Sequence, residues 1–463
     1  MANATETSGD CSKATAAQAQ HAALGLDTAK HSVHTVHPQA QWFPKASLGL
    51  FIHWGIASVH GNLDLSWAMI ANTPWDAAAG GANKLTPEAY WKLAERFKPE
   101  LFDPDKWIAA AAAAGFQYAV MTTMHHDGYT LWPSRYGDFG VQTYLPGRDL
   151  VGEFVQACRR HGLKVGLYYS PPDWRFDRQY MSFNFRNFGN TPAAQSGANE
   201  FPALDQRHQP TVVSAPPADH AQLRRKMFHG RVEELLTRYG HIDLLWFDGG
   251  AHDNELRDRA RALQPHLVIN SRSCDGDFDC TECELPEQRP TGWFETCHCW
   301  QSCDILRANG AVLDVWGYLA GEKFKSTAWM LGALSLLRGW GANLLVNVGP
   351  RPDGQLPDVV YERLAETAQW MAHSRRSVIG VEPCPDLRCE VPVTADARSL
   401  YVHLTPGHSG KIDLVPIDKP QSVRLLRTGL AVPYTWDDQT LHLEVPADQR
   451  TSLVDVVMVE SMS

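Results

Sequence analysis

Residues 242–250 have the sequence Ile-Asp-Leu-Leu-Trp-Phe-Asp-Gly-Gly, an apolar run that ends abruptly on Asp248 and two glycines. A short apolar run followed by turn residues is typical of a strand that is buried on both faces, as in a parallel sheet. In α/β barrels, catalytic groups lie at the carboxyl ends of such strands. The run therefore predicts a barrel strand that presents Asp248 at the functional end. Taken alone, it also fits a strand that ends in a helix cap or a turn.

Length and composition restrict the class of protein. The chain has 463 residues, of which 44% are hydrophobic and 20% charged, and this suits one large barrel with an accessory domain. The net charge of −10 argues against binding to a phosphate backbone, so we expect no nucleic-acid partner. No apolar run reaches about 18 residues, so neither a transmembrane helix nor a membrane partner is expected.

The first part of the chain differs in amino-acid composition from the rest. Residues 1–36 are rich in Ala, Thr, Gln and His and contain no apolar block. We expect a disordered or loosely attached lead and no intact signal peptide. Localisation therefore stays open, because export to a periplasm or to the medium would require a signal that was removed before residue 1. The sequence does not specify the oligomeric state.

Cysteines are concentrated in one segment. Six of the ten crowd together, namely Cys274, Cys280, Cys283, Cys297, Cys299 and Cys303. Their spacings do not form a clean pair of CxxC motifs. Disulfides, a zinc site and unpaired thiols therefore remain alternatives for this cluster.

Apolar strands alternate with amphipathic helices along most of the chain. The predicted strands lie within 48–55, 116–122, 164–169, 242–247, 266–270 and 343–348. Alternation of this kind predicts a (β/α)8-like TIM barrel, to which we assign residues 37–380. Beyond it, short alternating runs separated by Pro, Gly and Asp turns predict a C-terminal all-β sandwich over 381–463.

Polar and aromatic side chains follow the predicted strands, and barrel topology would bring them to one face. They are His53, Trp54, His125, His126, Tyr168, Trp246, Asp248 and Arg272. Imidazoles and a guanidinium can hydrogen-bond sugar hydroxyls, and an indole can stack on the apolar face of a sugar ring. Arranged around a carboxylate, these groups predict a site for a polyhydroxylated ring.

A metal-dependent hydrolase is the competing interpretation, with His53, His125, His126 and Asp248 as ligands. A guanidinium beside a cation is unfavourable, and a stacking indole has no use at such a site. Arg272 and the tryptophans therefore favour the sugar pocket. On this interpretation we expect no metal and no cofactor.

Several motifs resemble those of the α-L-fucosidases, glycoside hydrolase family 29. In chain order they are LFIHWG (50–55), TTMHHDGY (122–129), GLYYS followed by DW (166–174), WFDG (246–249), ETC (295–297) and NLLVNVGP followed by DG (343–354). They run from about residue 42 to 380 in the order that the family has. So many motifs in one order make the resemblance specific.

The resemblance implies a retaining exo-α-L-fucosidase that acts on fucosylated oligosaccharides or glycoconjugates. It implies that Asp248 is the nucleophile and that fucose contacts come from His53, His125, His126, Tyr168, Trp246 and Arg272. Retention also needs a second carboxyl group as acid/base. We select Glu295, because the Cys-, Trp- and His-rich segment around it can shield it and raise its pKa. Glu282, in the segment DFDCTE at 277–282, is the alternative.

Some positions depart from the family pattern. Ser66 precedes Trp67 where many relatives have Glu-Trp, and Phe294 separates Trp293 from Glu295. These departures leave two alternatives open: a glycosidase for a related L-sugar such as L-galactose, and a fucose-binding protein without catalytic activity. Residues 175–218 are predicted to form a large loop over one end of the barrel. Whether this loop is a lid, and which fucosyl linkage is preferred, are left open.

Overall fold

Eight parallel strands form a barrel in the computed structural model, which describes residues 33–73, 84–189, 201–306, 312–321 and 323–461. The strands are β1 (Leu48–Ile52), β2 (Tyr118–Met124), β3 (Lys164–Tyr169), β4 (Leu244–Phe247), β5 (Val268–Ile269), β6 (Phe278–Glu282), β7 (Trp293–Cys299) and β8 (Asn343–Val348). Their order around the sheet follows the chain. A parallel bridge between Asn270 and Phe278 joins β5 to β6 and nearly closes the ring. The predicted (β/α)8-like barrel is therefore confirmed.

Helices pack around most of the barrel. They are α1 (Pro104–Ala113), α2 (Leu150–Arg160), α3 (His220–Arg238), α4 (Asn254–Leu263), α5 (Thr327–Gly339) and α6 (Asp358–Ser374). Some of these helices begin at a residue whose side chain caps the first turn. Asp149, for example, caps α2 by accepting a hydrogen bond of 2.9 Å from the Gly152 amide. The short connections 270–277 and 283–292, which are fully described, contain no helix.

The chain segment 33–45 packs where β6 and β7 begin. Thr35 donates its amide to Asp277 Oδ1 at 2.7 Å, and the His34 ring stacks on Trp293. The Phe43 ring lies 4.2 Å from that of Phe278 and also contacts Tyr118, at the amino end of β2. This segment therefore closes the amino-terminal end of the barrel. Residues 1–32 of the predicted lead lie outside the described residues.

The C-terminal part consists of antiparallel strands, as predicted. They are β9 (Glu382–Pro383), β10 (Val393–Ala395), β11 (Ser399–Leu404), β12 (Lys411–Leu414), β13 (Pro420–Leu425), β14 (Tyr434–Asp437), β15 (Thr440–Glu444) and β16 (Asp455–Ser461). One sheet has the order β9-β10-β11-β16-β13 and the other β12-β15-β14. Alternate residues such as Val402, Leu414 and Leu443 form a core of their own, which is the arrangement of a sandwich.

Two other predictions concern the long loop and the cysteines. The described part of 175–218 contains a one-turn 3-10 helix (Phe185–Asn187) and a small hairpin (Ala203–Leu204 with Pro210–Thr211), while 190–200 lie outside the described residues. Cys274 and Cys297 are buried thiols without a disulfide. Within the described ranges, the cysteine-rich segment forms no group of three or more metal-ligating side chains. Of the helices that the structure describes, none is both long and apolar enough to cross a bilayer.

Candidate active site

A pocket lies at the carboxyl ends of the barrel strands, and it contains about 370 Å³ of empty space when the solvent at its open mouth is counted. Its walls are formed by Phe51, His53, Leu65, Trp67, His125, Tyr168, Trp246, Asp248, Arg272, Glu282 and Trp316. The lining therefore combines two carboxylates and one guanidinium with imidazoles and a broad aromatic surface. A compact, partly apolar cavity with a few convergent polar groups is the usual form of a small-molecule site.

Asp248 follows the last residue of β4, and both of its carboxylate oxygens are held. Arg272 donates from Nη2 to Oδ1 at 2.6 Å, and the Tyr168 hydroxyl donates to Oδ2 at 2.5 Å. The backbone amide of Asp248 donates to the carbonyl of Tyr169, which fixes the strand end. The carboxylate is therefore presented to the pocket in a single orientation.

Electrostatics keep Asp248 ionised. Burial alone would raise its pKa, but the Arg272 guanidinium, the neighbouring imidazoles and the Tyr168 hydroxyl together hold the pKa of this carboxyl well below its usual range. His126 contributes from behind the pocket, with Nε2 at 3.7 Å from Asp248 Oδ2. An ionised carboxylate at a rigid strand end is the form that a nucleophile requires.

Glu282, the last residue of β6, is the second carboxylate in the pocket wall. Arg272 donates to it from Nη1 while its Nη2 binds Asp248. One planar guanidinium therefore bridges the two carboxylates. This places both acidic groups around the same small volume.

Glu295, which we selected from the sequence as acid/base, lies elsewhere. It is the third residue of β7 and pairs with Asn343, the first residue of β8, so it lies towards the amino-terminal end of the barrel. The side chain is completely buried and does not line the pocket. It accepts hydrogen bonds from the Tyr118 hydroxyl and, at 3.1 Å, from the Trp246 indole. Its expected contact with a leaving group is therefore not supported by this geometry.

The environment of Glu295 raises the pKa of its carboxyl group, as expected, although the residue lies outside the pocket in which we expected it. Burial raises the pKa of Glu295 to about 7, against the opposing effect of its hydrogen bonds. The carboxyl group supports the indole of Trp246 from below. That indole stacks against Tyr168 at 5.6 Å and lies under the Arg272 guanidinium at 4.9 Å. Glu295 thus helps to fix the position of the Trp246 indole, which forms the floor of the pocket.

Trp54, expected among the substrate-binding residues, also lies outside the pocket. Its indole donates to the Arg351 carbonyl at 3.0 Å and packs against Phe102 and Trp107. Successive residues in extended backbone point to opposite sides. His53 therefore faces the pocket, and Trp54 faces the surrounding layer.

Three buried histidines surround the carboxylates. Burial lowers the pKa of His53 and of His126 to about 4, and it holds the pKa of His125 well below its usual value. All three rings are therefore neutral near pH 7, and each can offer one N–H and one lone pair. His53 and His125 line the pocket, whereas His126 lies behind Asp248 with Nδ1 at 2.5 Å from the Ser170 hydroxyl.

Several pocket residues were not predicted as binding groups from the sequence. Phe51 lies inside β1, and its apolar run gives no sign that it faces a ligand. Leu65 belongs to a short 3-10 helix and has a φ of 50°, which is rare for a residue with a side chain. Trp67 belongs to the same 3-10 helix, which spans Leu65–Met69, whereas Trp316 lies on a loop.

Ser66 does not line the pocket. Its hydroxyl lies 2.7 Å from His125 Nδ1 and accepts the amide of Asp127 at 2.9 Å. The side chain is completely buried. Ser66 therefore supports a pocket residue instead of contacting a ligand itself.

The ligand atoms of His125, His126 and Asp248 lie within 4.8 Å of one another, which is close enough to hold a metal ion. However, Asp248 already uses its two oxygens to accept hydrogen bonds from Arg272 and Tyr168. A cation bound there would also face the fixed positive charge of Arg272. The donor set therefore fits a metal poorly.

Comparison with known proteins gives one consistent result. The sequence profile of the Alpha-L-fucosidase family matches residues 13–375. The tissue alpha-L-fucosidase of Bos taurus is 27% identical over an alignment of 368 positions, and the match covers 75% of this chain and 70% of the relative.

Solved structures agree with the sequence comparison. Alpha-L-fucosidase isoenzyme 1 from Paenibacillus thiaminolyticus matches with a TM-score of 0.74 and 27% identity, covering 92% of this chain and 99% of that one. The Thermotoga maritima alpha-fucosidase, solved in complex with fucose, matches with a TM-score of 0.67 and 25% identity, covering 92% and 97% of the two chains.

Proposed function

This chain belongs to the α-L-fucosidase family and is a glycoside hydrolase, and on that basis we propose that it removes terminal α-L-fucosyl residues with retention of configuration. Asp248 is the proposed nucleophile and Glu282 the proposed acid/base. The substrate class is fucosylated oligosaccharides or glycoconjugates.

One observation carries the proposal: a single guanidinium, that of Arg272, donates to both Asp248 and Glu282 inside one pocket. Retaining glycosidases need two carboxyl groups about 5–5.5 Å apart on either side of the anomeric carbon. Two carboxylates held by the two ends of one guanidinium are compatible with that requirement. Glu295 has no comparable relation to Asp248, because it lies beneath Trp246.

The reaction follows in two displacements. In the first, a carboxylate oxygen of Asp248 forms a bond to the anomeric carbon while the glycosidic C–O bond breaks and Glu282 gives its proton to the leaving oxygen. In the second, Glu282 takes a proton from water, the water oxygen bonds to the anomeric carbon, and the bond to Asp248 breaks. The product sugar has the configuration of the substrate.

Arg272 links the two steps through charge. Before attack, its guanidinium balances two carboxyl groups, and a proton on Glu282 relieves the repulsion between them. Once Asp248 has become an ester it is neutral, and the positive charge of Arg272 then favours the ionised form of Glu282. That form is the base the second step needs.

The pocket walls support a terminal sugar of low polarity. Phe51 and Trp246 close the floor, and Trp67 and Trp316 supply further apolar surface. Fucose carries a methyl group where L-galactose carries a hydroxymethyl group, and an extra hydroxyl in apolar surroundings lacks a hydrogen-bond partner. We expect aryl α-L-fucosides to be hydrolysed faster than the matching α-L-galactosides.

Chemical rescue tests the nucleophile. Asp248→Gly is expected to abolish hydrolysis of an aryl α-L-fucoside, and added azide should restore turnover by occupying the vacated space. Attack from that side gives β-L-fucosyl azide, which NMR identifies. Full residual activity in Asp248→Gly would contradict the assignment.

Azide also tests the acid/base, but here the azide product has the opposite anomeric configuration. In Glu282→Ala, an activated aryl α-L-fucoside still forms the glycosyl-enzyme, and azide then attacks it to give α-L-fucosyl azide. Glu295→Ala is the control and should give no azide adduct. If the α-azide forms with Glu295→Ala and not with Glu282→Ala, the two assignments must be exchanged.

A further inference from the structure

The Asn347 side chain connects two walls of the pocket without lining it. Asn347 belongs to β8, lies opposite Phe51 of β1 and is completely buried. Its Oδ1 is 2.7 Å from His53 Nδ1, and its Nδ2 donates to the carbonyl oxygen of Trp316 at 2.8 Å. His53 and Trp316 both line the pocket, and their rings lie 5.0 Å apart.

The carbonyl of Trp316 fixes the orientation of the Asn347 amide. An amide flipped by 180° would set its oxygen against the Trp316 carbonyl oxygen, and two acceptors at that distance repel. The observed orientation is therefore the one that satisfies both ends. It follows that an acceptor, Oδ1, faces His53.

This arrangement selects one tautomer of His53. A neutral imidazole has a single N–H, and the acceptor at Asn347 Oδ1 requires it to be on Nδ1. Burial lowers the pKa of His53 to about 4, so the ring is neutral at neutral pH. The other ring nitrogen, Nε2, then carries a lone pair and no hydrogen.

We propose that Asn347 is a positioning residue that makes His53 a hydrogen-bond acceptor towards the bound sugar. The pocket then requires a hydroxyl that donates at this point, and it disfavours a group that only accepts. The inference rests on the proposed fucosidase function and adds a specificity element to it. Asn347 acts through His53 and is not itself a catalytic residue.

Other titratable groups near His53 shift its pKa, some upwards and some downwards. They come from four other strands and are His125, His126, Tyr168, Asp248 and Glu282. The two carboxylates favour the imidazolium form, and His126 opposes it. Burial outweighs the carboxylates in the native protein, so a further negative charge beside Nδ1 should reverse the balance.

The variant Asn347→Asp supplies that charge while keeping an acceptor for Nδ1–H. A carboxylate there raises the pKa of His53, and a protonated ring presents N–H from Nε2 where the sugar also donates. We expect the acid limb of the kcat/KM profile for an aryl α-L-fucoside to move up by at least about one pH unit. Above that limb, kcat/KM should return to within about tenfold of the wild-type value.

Asn343→Asp is the matched control. Asn343 begins the same strand and is equally buried, but it binds the backbone of Ser47 and Phe43 at the other end of the barrel. The Asn343→Asp substitution should leave the acid limb of the kcat/KM profile at the same pH as in wild type. An Asn347→Asp profile that superimposes on that of Asn343→Asp would overturn the inference.

A measurement on the wild-type protein needs no Asn347 variant. With ring-¹⁵N-labelled histidine, the signals of His53 can be identified by their loss in His53→Gln. We expect Nδ1 to be protonated and Nε2 bare at pH 7, and a protonated Nε2 would refute the inference. If wild type hydrolyses no fucoside at all, the proposed function fails, whereas active wild type with the wrong tautomer disproves the role of Asn347 alone.

Discussion

Glu295 is expected to make the folded protein less stable as the pH rises, and Glu295→Gln should remove this effect. The carboxyl group is completely buried between the Tyr118 hydroxyl and the Trp246 indole. Glutamine has nearly the same shape. Its carbonyl oxygen can still accept from the indole, and its amide can donate to the tyrosine oxygen. The substitution therefore removes the titration and keeps the contacts.

The magnitude follows from the pKa. Burial raises the pKa of Glu295 from 4.5 to about 7, and at about 1.4 kcal/mol for each unit this amounts to about 3 kcal/mol. In that interval the folded state binds the proton more tightly than the unfolded state. The stabilisation is therefore complete below the unfolded pKa and is lost as the pH rises through the folded pKa.

Urea unfolding of wild type and Glu295→Gln at several pH values measures this effect. Groups that titrate alike in both proteins cancel in the difference, so the free energy of unfolding of the variant should gain about 3 kcal/mol on wild type between about pH 4.5 and 7.5. A difference that stays constant over this range would refute the reasoning, because Glu295 would then be ionised in the folded protein throughout.

Glu234→Gln is a control of opposite sign. Burial opposes ionisation of Glu234, but hydrogen bonds from Arg135, Ser134 and Trp132 outweigh it and lower the pKa of this carboxyl. Its contribution is present above the unfolded pKa and is lost as the pH falls through the folded pKa. Glu234→Gln should therefore be most destabilised near neutral pH, and its deficit should shrink in acid.

Three further outcomes are expected. Arg272→Met removes the charge that keeps Asp248 ionised, so the acid limb of kcat/KM should move to higher pH, and an unmoved limb would show that other groups hold the carboxylate. Trp67→Ala should raise KM by up to about tenfold, because the sugar loses an aromatic contact. Trp54→Phe should leave KM unchanged, and an equal rise in both variants would mean that Trp54 also touches the sugar. A chelator should not lower activity, because the oxygens of Asp248 are engaged by protein groups; a loss that a divalent cation restores would instead favour a metal-dependent hydrolase.

Sequence patterns predicted the barrel strands that are continuously apolar. β3 and β8 have the predicted bounds, and the ends of β2, β4 and β5 lie within two residues of the predicted ends. β1 begins as predicted but ends three residues earlier. β6 and β7 were not predicted, because their sequences FDCTE and WFETCHC mix charged, polar and cysteine residues. Burial of polar side chains inside the barrel overrides the usual pattern there.

The two strands that were not predicted also explain why the sequence did not separate the two candidate acid/base residues. Glu282 and Glu295 look equivalent in the sequence, since each is an acidic residue in a cysteine-rich segment. The two glutamates differ only in where each lies along its strand. Glu282 ends its strand, whereas Glu295 lies near the start of the next one and faces the opposite end of the barrel. A strand must be located before its ends can be assigned.

The helix-free connections on both sides of β6 bear on how the protein can be shortened. β6 carries Glu282 at its carboxyl end, and its first residue, Phe278, packs against Phe43. A shortened protein that starts after Phe43 would remove this contact and the hydrogen bond of Thr35 to Asp277. None of the residues 33–45 lines the pocket. Their deletion should nevertheless impair turnover, so a fragment designed for expression has to keep residues 33–45.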